Sequence, residues 1–246
     1  MSGKLLAGFA SIVMIATPAV AQDFAMGWFN DSAQIMDSYV GQAAMASVAI
    51  RRPAPKGRET SPERRSPPPR RAVASLTFAV DANVSRQVRD RFRDQLVRSN
   101  PAKAGEIDTA LKQDWMRGYA SDIARPNGFD PRNVADSHAA YLIASWALVN
   151  NVTTLPPRGI TAVRDKVRAD LIADPKIAAL SVSRKQELGE NLNYNTVLVM
   201  ANRTRIYETG DKALRAAATR HYSAQFARLG IDLTRLQLTD AGFVAR

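Results

Sequence analysis

One segment of this chain is apolar on every side of a helix, and it restricts the fold more than any other feature. From Ala139 to Val149 the only polar residue is Ser145, and small alanines alternate with large apolar side chains. A helix without a polar face must be surrounded by other elements, and this one is too short to span a bilayer. We therefore expect an all-α fold, an irregular multi-helix bundle around a buried central helix at about residues 131–150.

Flanking segments supply the partners that this central helix needs. Ser85 is a candidate N-cap for an amphipathic helix, and Ser183 with Gln186 three residues later has the pattern of a capping box. Residues 76–80 and 236–239 are candidate strands, since they are short and rich in Leu, Val, Phe and Thr. Pairing of these two strands would give a small two-stranded sheet that closes the domain.

The first 21 residues have the pattern of an export signal. Lys4 provides a positive charge, residues 5–16 are almost wholly apolar, and Ala19-Val20-Ala21 has the small residues that signal peptidase accepts. The apolar run is too short for a stable transmembrane helix. We predict a signal peptide over 1–21, cleavage after Ala21, no transmembrane span after cleavage, and a periplasmic or secreted product.

Three further regions follow the predicted signal. The pattern of residues 22–50 predicts a short N-terminal amphipathic helix that docks on the main domain, on a partner or on a membrane surface, and disorder is the remaining alternative. Residues 72–246 are predicted to form a helical domain. Between them, residues 51–71 hold eight basic and two acidic residues with six prolines, which predicts a disordered basic proline-rich linker. This linker is either a spacer or a contact for polyanions. The candidate binding residues in it are Arg64, Arg65, Arg70 and Arg71.

Export determines which partners that linker can meet. Anionic cell-envelope components or another envelope protein are expected, and specific nucleic acid is not. The chain has no cysteine and two histidines, so thiol catalysis is excluded, and neither a metal site nor a cofactor is expected. None of the common catalytic sequence motifs is present.

The best chemical candidates lie at the start of the central helix. Asp136 and His138, with His221 from a later helix, are candidate acid–base residues, and Asn133 and Tyr141 are candidate binding residues. The alternative is structural, with Asp136 accepting hydrogen bonds from loop amides and holding the helix in place. The sequence leaves both alternatives open.

Three segments also carry a resemblance to a known family. Asn133-Val134-Ala135-Asp136, the continuation from Ala140-Tyr141 to Trp146, and the ending Leu236-Gln237-Leu238-Thr239-Asp240-Ala241-Gly242-Phe243 resemble a family of uncharacterised exported bacterial proteins, a domain of unknown function. The resemblance covers about residues 76–244. It implies a Gram-negative host, a helical domain and a variable N-terminal linker, and it brings no activity or cofactor.

These observations favour an exported, periplasmic helical protein that acts as a binding or scaffolding module. One alternative is a hydrolase of cell-envelope material that uses Asp136 with His138 or His221. Another is a tether that holds the domain against a polyanionic surface through the basic linker. The missing catalytic motifs favour the first hypothesis and leave the question of catalysis open.

Overall fold

The computed structural model of the protein describes residues 76–246, which are mainly helical. The predicted signal peptide (1–21), N-terminal helix (22–50) and basic linker (51–71) lie outside the described residues. In the described part, no helix combines the length and the apolar composition that crossing a membrane requires. Helices α1 to α8 span Ala82–Ser99, Ala104–Leu111, Trp115–Gly118, Val134–Val149, Pro157–Ala173, Pro175–Ala178, Val182–Thr209 and Lys212–Arg228, and strands β1 and β2 span Leu236–Thr239 and Gly242–Ala245.

The apolar helix predicted from the sequence is α4, at the centre of the bundle. Every residue from 134 to 148 is buried, and α4 packs against α5, α7 and α8. The helix begins where the Asn133 side chain accepts hydrogen bonds from the amides of Ala135 and Asp136. The predicted all-α bundle around a buried central helix is confirmed.

Strand β1 lies at the predicted position, but its predicted partner was wrong. β1 pairs antiparallel with β2, not with residues 76–80. Only Asp240 and Ala241 separate the two strands, and Gly242 takes a positive φ of 96° at the turn. A hairpin this short costs little loop-closure entropy compared with pairing across the whole domain.

Residues 76–78 instead hold the start of α4. Thr77 forms an isolated antiparallel bridge with Asn133. The amide of Val134 donates to the carbonyl of Leu76 at 3.0 Å, and the amide of Phe78 donates to the carbonyl of Arg132 at 2.9 Å. The first described residues therefore fix the loop that leads into the central helix.

Two helices begin earlier than predicted, because other residues cap them. Asp81, not Ser85, caps α1, and its side chain accepts from the amides at 83 and 84. Ser181, not Ser183, caps α7 by accepting from the amide at 184. Ser85 and Gln186 are consequently interior to their helices, and their side chains are available for contacts between helices.

Candidate functional site

The predicted acid–base residue Asp136 holds α4, α5 and the preceding loop together. Its side chain is fully buried. Oδ1 accepts from Arg168 Nε and Oδ2 from Arg168 Nη2, both at 2.6 Å, and Oδ2 also accepts from the amide of Asp130 at 2.7 Å. The hydrogen bond from the Asp130 amide is the loop contact expected if Asp136 has a structural role. The ion pair with Arg168 was not predicted from the sequence.

The other predicted site residues on α4 are also enclosed. His138 is 4% exposed, and burial lowers its pKa to about 4, so its ring is neutral at neutral pH. Tyr141 is fully buried; its hydroxyl donates to Gln225 Oε1 at 2.8 Å, and its ring stacks on Phe226. Asn133 is the α4 cap.

His221 lies on α8, partly buried, with its ring edge-on to Tyr222. Burial, with a smaller contribution from Arg228, lowers its pKa to about 4. Within residues 76–246, no three His, Asp or Glu side chains form a group that could hold a metal ion. The linker candidates Arg64, Arg65, Arg70 and Arg71 lie outside the described residues.

A different set of residues, from α1, from α7 and from the segment between positions 111 and 132, lines an open groove of about 750 Å³. We call it the α1–α7 groove. Three α7 residues, Glu190, Asn193 and Tyr194, form its floor. They share one face of the helix because they are spaced at i, i+3 and i+4. Its volume is in the range typical of small-molecule sites.

Two buried oxygen atoms in the floor accept no hydrogen bond within the described part of the chain. Glu190 is 5% exposed; its Oε1 accepts from Ser85 Oγ at 2.7 Å, whereas its Oε2 has no partner. Asn193 is 2% exposed; its Nδ2 donates to the carbonyl of Pro131 at 3.0 Å, whereas its Oδ1 has no partner. Buried polar atoms without partners are uncommon, because each costs free energy that a bound donor would recover.

The position of Glu190 is fixed by Gln186, one turn earlier on α7. Gln186 Nε2 lies 2.9 Å from Glu190 Oε1 and also donates to the carbonyl of Asp81 at 2.9 Å. The amide of Asp81 donates in return to Gln186 Oε1 at 2.9 Å. These contacts attach the start of α1 to α7. Burial raises the pKa of Glu190, and the hydrogen bonds from Ser85 and Gln186 partly oppose that shift.

Aromatic rings form the third part of the floor. Tyr194 stacks on Phe92 with 4.6 Å between ring centroids, and Trp115 lies 6.3 Å from Tyr194. Burial, followed by the nearby Glu190 carboxylate, raises the pKa of Tyr194 to about 12. The phenol is therefore protonated at neutral pH and can donate a hydrogen bond.

The rim of the groove is strongly basic. Six basic side chains line the groove, against the carboxylates of Asp114 and Glu190. Asp114 is already engaged as the cap of α3, where it accepts from the amide of Arg117 at 2.9 Å. The groove therefore presents a positive field to solvent. The rim residues, all exposed, are Arg86, Arg89, Lys112, Arg117, Arg125 and Arg132.

Comparison with known proteins places the chain in a family. A family model described as a family of unknown function, DUF6683, matches residues 1–246. The chain belongs to that family. This confirms the resemblance to a domain of unknown function, and the DUF6683 match also includes residues 1–75, beyond the 76–244 of the predicted resemblance. No curated protein and no solved structure matches this DUF6683 chain.

The sequence did contain a signal for the groove. Gln186, Glu190 and Asn193 recur at i, i+4 and i+7, which places three polar residues in one stripe along α7. Such a stripe is usually the solvated face of a helix. Here it is buried against α1 and the loop before α4, and Gln186 contacts Asp81 instead of completing a capping box.

Proposed function

We propose that this protein is a binding module whose α1–α7 groove holds a small anionic ligand. The observation that carries the proposal is the basic rim above a buried polar floor. Six exposed cationic side chains attract an anion over a distance of about one Debye length, roughly 8 Å at physiological salt. Guanidinium groups then bind carboxylate or phosphate with paired hydrogen bonds.

The groove supports this proposal better than the cluster at the start of α4 does. Both oxygens of Asp136 are occupied by Arg168, and Asp136 and Tyr141 are fully buried. The groove, by contrast, is open to solvent, and Glu190 Oε2 and Asn193 Oδ1 in its floor accept no hydrogen bond from the described residues. We therefore assign binding to the groove and a structural role to the α4 cluster.

A direct test compares charge removal inside and outside the groove. Glucose 6-phosphate and citrate serve as anionic probes, titrated by calorimetry at low and high salt. The double variant Arg86→Gln/Arg132→Gln should bind whichever probe binds wild type about tenfold or more weakly than wild type does, since charge-assisted hydrogen bonds are lost. The matched control, Arg158→Gln/Arg220→Gln, removes the same charge at exposed sites outside the groove.

The control should retain the wild-type affinity, and the wild-type affinity should fall as salt rises. Equal weakening in both double variants would show a general charge effect and would contradict a site in the groove. An affinity that does not change with salt would contradict recognition of an anion by the rim.

We propose export as the setting of this binding module, from the pattern of residues 1–21. Small residues at Ala19 and Ala21 after an apolar run support it. Intact-mass measurement of the protein recovered from fractionated cells that express the full chain tests it. A mature chain beginning at Gln22 in the periplasm or medium is expected, and a full-length chain in the cytoplasm would contradict it.

The basic linker supports a second proposal, that residues 51–71 hold the protein against an anionic surface. The support is its eight basic residues against two acidic ones. Retention on heparin resin at low salt should fall when residues 51–71 are deleted and should be lost at high salt. Unchanged retention after the deletion would contradict this proposal and leave the groove proposal standing.

A further inference from the structure

The floor of the α1–α7 groove contains acceptors that face no cation. Glu190 receives hydrogen bonds from the neutral groups of Ser85 and Gln186. Within residues 76–246 no arginine or lysine forms an ion pair with it. A buried carboxylate without a counterion favours binding of a positive group.

A second acceptor in the floor, on Asn193, also favours a ligand that donates hydrogen bonds. Asn193 Oδ1, one helical turn from Glu190 on α7, is a second buried acceptor that receives no hydrogen bond from residues 76–246. A primary ammonium has three N–H donors and a positive charge, so one such group can serve two acceptors and compensate the carboxylate. A hydroxyl has one donor and no charge, so it leaves part of this requirement unmet.

The rim of the groove favours a ligand group of the opposite charge. Its six basic side chains are exposed above the floor, and they select an anionic group. The two requirements are separated in space, with negative charge favoured at the mouth and positive charge favoured at the floor. A groove of about 750 Å³ accommodates one molecule that carries both groups.

We infer that the ligand is a small amphoteric molecule with a carboxylate or phosphate at the rim and a primary ammonium on Glu190 and Asn193. This inference rests on the proposed binding function of the same groove. A carboxylate and a phosphate can each bind the basic rim. Amino acids, short peptides and amino-sugar phosphates all carry one of these anions together with a primary ammonium. The ammonium distinguishes this class from simple anions.

Matched ligand pairs test the inference without any variant. Glucosamine 6-phosphate is compared with glucose 6-phosphate, and alanyl-alanine with N-acetyl-alanyl-alanine, by calorimetry on the full chain. Within at least one pair, wild-type protein should bind the amine about tenfold or more tightly than its partner, as expected for a charge-assisted hydrogen bond at a buried carboxylate. The pair that shows this preference also identifies the anionic group.

The variant Glu190→Gln then assigns the preference to the floor. Glutamine retains a carbonyl oxygen that can accept from Ser85 and Gln186, so its melting temperature is expected near that of wild type. The preference for the amine should fall to about twofold or less in this variant. The affinity for the pair member without the amine should stay near the wild-type value, because the basic rim is unchanged. In Arg86→Gln/Arg132→Gln, affinity for both members of a pair should fall together.

The outcomes separate the inference from the proposal on which it rests. Equal affinities within both pairs would overturn the ammonium inference and leave the groove as an anion site. A preference that survives Glu190→Gln would also overturn it, because the ammonium would then lie elsewhere. Failure of these four compounds and of citrate to bind wild-type protein would overturn both the proposed function and the inference.

Discussion

Acidification from pH 7 to pH 5 is expected to destabilise this protein through His138, and replacement of His138 by glutamine should remove that contribution. The ring is 4% exposed in the folded protein, and burial lowers its pKa from 6.5 to about 4. The unfolded chain therefore binds a proton in a pH range where the folded chain does not. Stability then falls as the pH decreases through 6.5 toward 4.

The magnitude follows from the two pKa values. Each unit of difference corresponds to about 1.4 kcal/mol when the reaction is complete, so His138 contributes roughly 3 kcal/mol at the acid end. Between pH 7 and pH 5 its part of the loss is about 2 kcal/mol. Other titrating groups also affect the pH dependence, but they are shared by wild type and His138→Gln and cancel in the comparison.

Urea unfolding monitored by circular dichroism at pH 5, 6 and 7 measures the difference. The free energy of unfolding should fall more steeply with acid in wild type than in His138→Gln, even though the variant is less stable at pH 7. His221→Gln should flatten the pH profile by a similar amount, because burial lowers the pKa of His221 to about 4 as well. Parallel pH profiles for wild type and His138→Gln would refute the argument, as would a ring titrating near pH 6.5 by NMR.

Three further substitutions test the packing. Arg168→Gln should cost about 3–5 kcal/mol of unfolding free energy, because it leaves the buried Asp136 carboxylate without its cation. Gly159→Ala should cost about 1–3 kcal/mol, because its Cβ would overlap the Thr239 carbonyl of β1. Gly105→Ala, on α2, has no atom within 4 Å of the added Cβ and should gain about 0.5–1 kcal/mol. Urea denaturation measures all three.

Lys166→Gln is the control for the arginine substitution. Lys166 pairs with Asp170 one turn along α5, and its side chain is 35% exposed. A surface pair of this kind is worth less than about 1 kcal/mol. Similar losses in Arg168→Gln and Lys166→Gln would contradict a special role for the buried pair. A stability for Gly159→Ala equal to or above that of wild type would contradict the close approach of α5 and β1.

The central helix could be predicted because its sequence permits only one environment. Uninterrupted apolar residues from 139 to 144 and 146 to 149 have no face for water, so burial follows from composition. The caps at Asp81 and Ser181 were harder, since Ser85 and Ser183 are equally good local candidates. The hairpin partner of β1 was missed because β2, Gly-Phe-Val-Ala, has no clear alternation.

The candidate site could not be predicted, because its residues come together only in the fold. Ser85 and Glu190 are 105 positions apart, and no local pattern links them. Glu190 also reads as a solvated residue on a helix rich in polar side chains, and only the packing of α1 makes it buried. The α4 candidates were visible because they lie within one short segment, yet their proximity serves the packing of α4, α5 and α8.

The two unpaired oxygens in the groove have a practical consequence for finding the ligand. A compound that supplies their donors binds the folded chain alone, so it shifts the unfolding equilibrium by mass action. At a concentration one hundred times its dissociation constant, it would add about 2.7 kcal/mol to stability. A thermal-shift screen of amphoteric metabolites can therefore recover the ligand without any assay of activity, and a smaller shift in Glu190→Gln than in wild type would locate each hit in the groove.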